Sequence, residues 1–268
     1  MPATSALVDA PAAAAYDALA SAYDVLTSEY RHDLWLDRIE RLAREEGLRG
    51  QRLLDIACGT GKSFLPLLCR GYATTACDIS AEMVQIARAK APQADVVLAD
   101  MRTLGRLGEF DLITCLDDAV NYLLSEDDLD AFFGGVSLNL APSGVAAFDV
   151  NSLTMYREGF ARDWIVDDAA AFVAWTARDA ALTGAGDEVQ ATIHVFAPGE
   201  FGWQRRESAH RQRHWPEEQI VEAAERASLR IVGPYGQRRG AVIDVWFDEL
   251  EHTKALYLAT HTERRCRT

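Results

Sequence analysis

The stretch that most constrains the fold is Leu53-Leu54-Asp55-Ile56-Ala57-Cys58-Gly59-Thr60-Gly61. It is an apolar run that ends in a loop with small residues at alternate positions, and a helical pattern follows. Glycines there let the backbone approach a ligand closely and take conformations a Cβ forbids. The helix N-terminus beyond the loop offers unpaired N–H groups to negative charge. Short apolar runs recur at 72–77, 95–99, 110–115 and 145–150, with helical patterns between them, clearest at 80–91 and 126–138. Strands alternating with helices predict a mostly parallel sheet covered on both faces.

The second run ends in Ala76-Cys77-Asp78, which sets Asp78 23 residues after Asp55. A carboxylate at that strand end is placed to accept both hydroxyls of a ribose, so the expected ligand is a nucleoside bound outside the carboxyl ends of the strands. The dinucleotide pattern G-x-G-x-x-G fails, because the small residues fall at Ala57, Gly59 and Gly61 and Lys62 follows. Gly61-Lys62-Ser63 imitates a phosphate-binding loop. That loop needs a glycine five residues before Gly61, where Ile56 stands.

Together these motifs resemble the class I S-adenosylmethionine-dependent methyltransferases, whose first strand is followed by D-x-x-x-G-x-G. Asp78-Ile79-Ser80-Ala81-Glu82-Met83 resembles the family's second motif, Ala99-Asp100-Met101-Arg102 its third, and Phe110–Cys115 its fourth strand. Tyr16-Asp17, Ala20 and Tyr23-Asp24 resemble a helix that lids the cofactor in small-molecule members. The resemblance covers about residues 14–150. It implies a Rossmann-like, seven-stranded, mostly parallel sheet with an N-terminal helical lid, S-adenosyl-L-methionine as cofactor, S-adenosyl-L-homocysteine as product, and no metal.

The resemblance also implies residue roles. Ala57, Gly59 and Gly61 leave room for the methionine moiety and ribose, and Asp55 holds the loop or meets the amino group. Asp78 accepts the ribose hydroxyls, while Ile79 and Met83 pack on the adenine. Asp100 accepts from the adenine amino group, the Met101 N–H donates to a ring nitrogen, and Leu116 lies against the cofactor. Tyr23 and Trp35 close over the methionine end, with ordinary core packing as the other reading. Two departures stand out. Ala57 occupies a position that is often glycine, and Ala119 replaces the serine of a D-S-x-N-Y subgroup.

The texture changes after Asn151. Residues 1–12 are expected as a loose tail and 13–151 as the cofactor-binding core with its lid. Residues 152–214 are expected as a β-rich substrate cap and 215–268 as a return to the core sheet. Methyl displacement is in-line and rests largely on positioning, so no catalytic triad is required. Candidates for a base or orienting group are Asp118, His194 and His210. Period two puts His210, Gln212 and His214 on one face of a strand, with Arg211 and Arg213 on the other. Tyr16, Asn121, Asn151 and Trp175 are expected to contact the acceptor. No Asn-Pro-Pro-Tyr motif follows the fourth strand, which weakens an amide or nucleobase amine as acceptor.

Composition bounds the rest. Against 27 Lys and Arg stand 41 Asp and Glu, a net charge of −14, which repels phosphate backbones. Nucleic acid is therefore not expected as a partner. The five cysteines form no C-x-x-C pair, and no run approaches the ~18 apolar residues of a membrane span. The first residues lack the basic region and apolar core of a signal peptide. The expected protein is a cytoplasmic monomer or homodimer without membrane contact. Its expected activity is methyl transfer to N, O or an electron-rich C of a small molecule in secondary metabolism. The alternatives are a cofactor-binding regulator without turnover, or an NAD-dependent oxidoreductase on the same fold.

Overall fold

The computed structural model describes residues 12–178, 183–200 and 202–262. The expected tail therefore lies outside the described residues except for Ala12, which opens the first helix. Three helices lead in: α1 (Ala12–Leu19), α2 (Tyr23–Leu26) and α3 (His32–Glu45). The alternation expected from the sequence follows as β1 (Arg52–Ile56), α4 (Leu65–Cys69), β2 (Ala73–Asp78), α5 (Ala81–Lys90), β3 (Asp95–Leu98), β4 (Phe110–Cys115), α6 (Glu126–Asn139) and β5 (Leu140–Asn151). Side chains start two of the helices. Ser80 accepts from the Met83 N–H at the head of α5, and Ser125 from the Asp128 N–H at the head of α6.

Four strands then build a separate antiparallel sheet: β6 (Trp164–Asp167), β7 (Phe172–Arg178), β8 (Glu188–Gly199) and β9 (Gly202–Arg213), in that order. The chain returns through α7 (Glu217–Arg226), β10 (Leu229–Arg238), β11 (Val242–Asp244) and β12 (Lys254–His261). The large sheet runs β11-β10-β12-β5-β4-β1-β2-β3. Strands β5, β4, β1, β2 and β3 pair in parallel, and β12, β10 and β11 join antiparallel. It has eight strands rather than the expected seven. Positive φ at Gly240 and Ala241 turns the chain after β10, and the three-residue β11 pairs back along its edge.

Burial follows the patterning. One face of the large sheet packs Phe132 and Phe133 of α6 and Ile220 of α7 over Phe148 and Tyr257, whose rings stack at 5.3 Å. The other face takes Ile39 of α3, Leu67 of α4 and Val84 of α5. A third cluster joins Val189, Ala191, Ile193 and Val195 along one face of β8 to Leu19, Tyr156 and Phe160. That contact fastens the small sheet over α1, which also packs along β9 and α5.

Candidate functional site

Residues at or directly after the carboxyl ends of β1, β2, β3 and β4 line one cavity of about 300 Å³: Ala57, Asp78, Ala99 and Leu116. Tyr16 and Tyr23 from the N-terminal helices and Ala209 and Arg211 of β9 complete the wall. The loop after β1 has φ of +57° at Ala57, +52° at Gly59 and +92° at Gly61. Ala57 accepts the strain of a left-handed residue where glycine would be free of it. A Cβ on Gly59 would stand 3.5 Å from the Tyr23 ring, in the space the loop keeps open.

Asp78 is 7% exposed at the end of β2. Its two oxygens accept from the N–H groups of Gly59 and Ser80, at 2.8 and 2.9 Å. Burial raises its pKa above the usual carboxylate value, against the pull of those backbone donors. Asp100, after β3, also lines the cavity and is gripped by Arg102 at 2.7 Å. Burial works to raise its pKa, but the Arg102 bonds prevail and hold the carboxyl low. Ile79, Met101 and Leu116 complete an apolar lining between these carboxylates.

The lid is tied to the loop by polar bonds. Asp24 accepts from Thr60 Oγ1 at 2.6 Å and pairs with Lys90. Asp17 accepts from Ser80 Oγ at 2.5 Å. Lys62 donates to the Thr27 carbonyl at 2.6 Å and to its hydroxyl at 3.0 Å.

Of the residues expected at the cofactor, Tyr23, Ala57, Gly59, Asp78, Ile79, Asp100, Met101 and Leu116 line this cavity, and four do not. Asp55 is fully buried, and its oxygens accept from Ser63 and Thr114 hydroxyls at 2.5 Å each, so it braces the loop from behind. Gly61 turns the chain beneath Phe64. Met83 is fully buried in α5, and Trp35 packs in the core under α3. For Trp35 the core-packing reading is the one the geometry follows.

The expected acceptor residues divide in the same way. Tyr16 lines the cavity. Asn121 bridges the Arg213 carbonyl and the Asn151 N–H, Asn151 donates to Gln212 at 2.9 Å, and Trp175 stacks on Trp164 inside the cap. All three are structural ties away from the cavity wall. His194 alternates with Val189, Ala191, Ile193 and Val195 and so faces the opposite side of the cap sheet, beside its β9 partner Glu207, whose carboxylate is 3.2 Å away. His210 does lie on the inner face, but Tyr122 and Ser208 occupy both ring nitrogens at 2.9 Å. Burial pushes His210 down to about 4, so it is neutral near pH 7 and supports Tyr122 from behind. Asp118 turns away too, accepting from Lys254 at 2.7 Å and Gln212 at 2.6 Å.

The sequence reading passed over four groups here. Lys62, Asp117 and Tyr122 line the cavity, and His32 of α3 bonds Asp117 at 2.7 Å. Burial opposes ionisation of Asp117, yet His32, Lys254 and Lys62 around it hold its pKa below the usual value. The Gly-Lys-Ser spacing and the paired aspartates were visible signals. Nothing local marks His32.

Comparison with known proteins decides the family. A model described as a methyltransferase domain matches residues 53–144. YqeM of Bacillus subtilis (strain 168), which carries a methyltransferase name, is 31% identical over 224 residues, spanning 81% of this chain and 87% of that protein. The chain belongs to the class I S-adenosylmethionine-dependent methyltransferases. A crystal structure of an S-adenosylmethionine-dependent methyltransferase from Clostridium acetobutylicum ATCC 824 superposes with a TM-score of 0.75 at 26% identity, covering 90% of this chain and 96% of the other. The dTDP-3-amino-3,6-dideoxy-alpha-D-glucopyranose N,N-dimethyltransferase of Streptomyces fradiae is 25% identical over 202 residues, 73% of this chain and 78% of that enzyme. For a methyltransferase of this family the cavity chemistry fits the cofactor. A buried carboxylate ends β2, the loop beside it is opened by glycine, and apolar side chains lie between Asp78 and Asp100. Among the described residues no helix is long and apolar enough to cross a membrane.

Proposed function

We propose that this methyltransferase acts on the nitrogen of a small amine, held against Tyr16 and Tyr122 beside the cap strand β9. The observation that carries this reading is the shape and lining of the cavity. Ala209 and Arg211 of β9 line it, and Tyr16 of α1 and Tyr122 after β4 present two phenols to it. Their rings meet edge to face at 5.3 Å, and Tyr16 also meets His210 at 5.4 Å. Burial drives the pKa of both phenols upward, so they remain neutral hydroxyls. A neutral phenol oxygen accepts an N–H and leaves the nitrogen lone pair free to point elsewhere.

Bound beside them, the cofactor would supply an electrophilic sulfonium methyl. Asp78 would hold the ribose hydroxyls, Asp100 and Met101 would meet the adenine, and Ile79 and Leu116 would cover its faces. The protein's contribution to rate is then alignment and exclusion of water, with Tyr16 and Tyr122 orienting the acceptor. The aminosugar N,N-dimethyltransferase relative supports a nitrogen acceptor, which attacks as the neutral amine and gives up its proton to water after methyl transfer, and the net charge of −14 disfavours a nucleic acid.

The test is an acceptor screen read by mass spectrometry. Purified enzyme with S-adenosylmethionine is offered dTDP-linked aminosugars, simple primary amines, phenols and indoles. Methylated amines, lost in Tyr122→Phe, are expected. Methylation of phenols or indoles alone would overturn the nitrogen reading.

A further inference from the structure

A chain of polar side chains runs from the inner face of β9 to the cavity wall. Ser208 and His210 stand two residues apart on the strand, so both side chains point the same way. The Ser208 hydroxyl meets His210 Nε2 and the Tyr122 hydroxyl meets His210 Nδ1, each at 2.9 Å. Tyr16 closes the chain, its ring edge to face with both His210 and Tyr122. Ser208 and His210 are 2% and 1% exposed, so bulk water does not compete for these bonds. Side chains also staple the turn that carries Tyr122 to β9. Asn121 donates to the Arg213 carbonyl at 2.8 Å, and Arg213 donates to the Leu124 carbonyl at 3.1 Å.

A neutral imidazole has one donor and one acceptor nitrogen, so the chain has a direction. His210 is neutral near pH 7. Either Ser208 donates in and His210 donates on to Tyr122, or Tyr122 donates in and His210 donates on to Ser208. The surroundings of Tyr122 favour the second. The Gln212 amide is oriented at both ends, because its oxygen accepts from Asn151 at 2.9 Å and its nitrogen donates to Asp118 at 2.6 Å. Burial raises the pKa of Tyr122, and the Tyr16 hydroxyl and the Gln212 amide pull against it as donors beside its oxygen. With donors at the oxygen, the proton of Tyr122 itself is left for Nδ1.

We propose that His210 is a positioning residue for methyl transfer. With its own proton on Nε2 toward Ser208, it accepts the Tyr122 hydroxyl at Nδ1, so that the phenols turn oxygen rather than hydrogen to the acceptor. This rests on the nitrogen reading of the acceptor. An amine held by its N–H on a phenol oxygen keeps its lone pair for the sulfonium methyl. An amine that accepts a phenol O–H has that lone pair engaged, and the bond must break before attack, so such a contact stabilises the ground state more than the transition state.

Two measurements test this. Nitrogen-15 NMR of wild type carrying labelled histidine, with His210 assigned by its absence from His210→Asn, reads the tautomer directly. Near pH 7, Nε2 is expected to carry the proton and Nδ1 none, and a proton on Nδ1 overturns the proposal. Turnover is followed with S-adenosylmethionine and whichever dTDP-linked aminosugar or primary amine wild type methylates. His210→Leu should lower kcat about 3- to 10-fold, the worth of one hydrogen bond, with KM for S-adenosylmethionine within about twofold of wild type. His210→Asn, whose side-chain oxygen can stand where Nδ1 stands, should restore most of kcat. Full kcat in His210→Leu, or no recovery in His210→Asn when both melt as wild type does, overturns the positioning role. Should His210→Leu fail to fold, Ser208→Ala removes only the partner of Nε2 and should lower kcat in the same sense; unchanged kcat there is equally fatal. If wild type methylates phenols or indoles and no amine, the nitrogen reading itself fails, an outcome distinct from these.

Discussion

Asp55 shows how much one buried side chain sets. Burial pushes its pKa up to about 7, against the hydroxyls of Ser63 and Thr114. In an unfolded chain an aspartate titrates near ~4. Between about pH 4 and 7 the folded protein therefore binds this proton more tightly. Stability from the protonated group is fully present below about 4 and is lost as pH rises through about 7. Asp55→Asn removes the titration at nearly constant shape. The stability of wild type relative to Asp55→Asn should fall by roughly 4 kcal/mol from pH 4 to 8, measured by urea unfolding. A difference that stays flat would show that Asp55 is ionised throughout. Residues of this kind were legible only in part. The D-x-x-x-G-x-G spacing pointed at Asp55, but whether it meets a ligand or braces the loop depends on Ser63 and Thr114, and Thr114 lies 59 residues away in sequence.

Among the elements, the tie between the two sheets is a buried polar network. Lys254 of β12 reaches Asp118 after β4 and Asp149 of β5 at 2.7 and 2.8 Å, and Gln212 of β9 bonds Asp118. Burial works to strip the proton from Lys254, but Asp118, Asp149 and Asp117 hold it. Lys254→Met would leave Asp118 and Asp149 without their lysine counter-charge. The expected loss is about 3–5 kcal/mol, or roughly 10 °C in melting temperature, read by calorimetry. Adding Asp149→Leu should recover part of it. A loss below ~1 kcal/mol would mean that the network does not join the sheets. Strands and helices of the core were legible because period-two and helical patterns are local. Period two also separated His210, Gln212 and His214 from Arg211 and Arg213 on β9, without saying which face is inner. Period two along β8 likewise turns His194 away from the face of Val189, Ala191, Ile193 and Val195, so its outward position was written in the segment itself. The partner of Asp117 arrives from α3, 85 residues away, so no spacing could have disclosed it.

At the scale of the molecule, part of the cavity wall comes from strand-end motifs and part from the lid and the cap. The strand-end lining and Tyr16 and Tyr23 of the lid were therefore readable before the structure, and Ala209 and Arg211 of the cap were not. The family-model match stops at residue 144, short of the cap. Strand ends that hold a common cofactor need fixed residues, whereas a cap is shaped to its own acceptor. The account stands on the cofactor being held by Asp78. Titration of wild type and Asp78→Ala with S-adenosylhomocysteine, with NAD as control, tests this most directly. The account predicts binding by wild type, a loss of about 2–4 kcal/mol in Asp78→Ala from two charge-assisted hydrogen bonds, and no binding of NAD. Unchanged S-adenosylhomocysteine affinity in Asp78→Ala, or binding of NAD in its place, would contradict it.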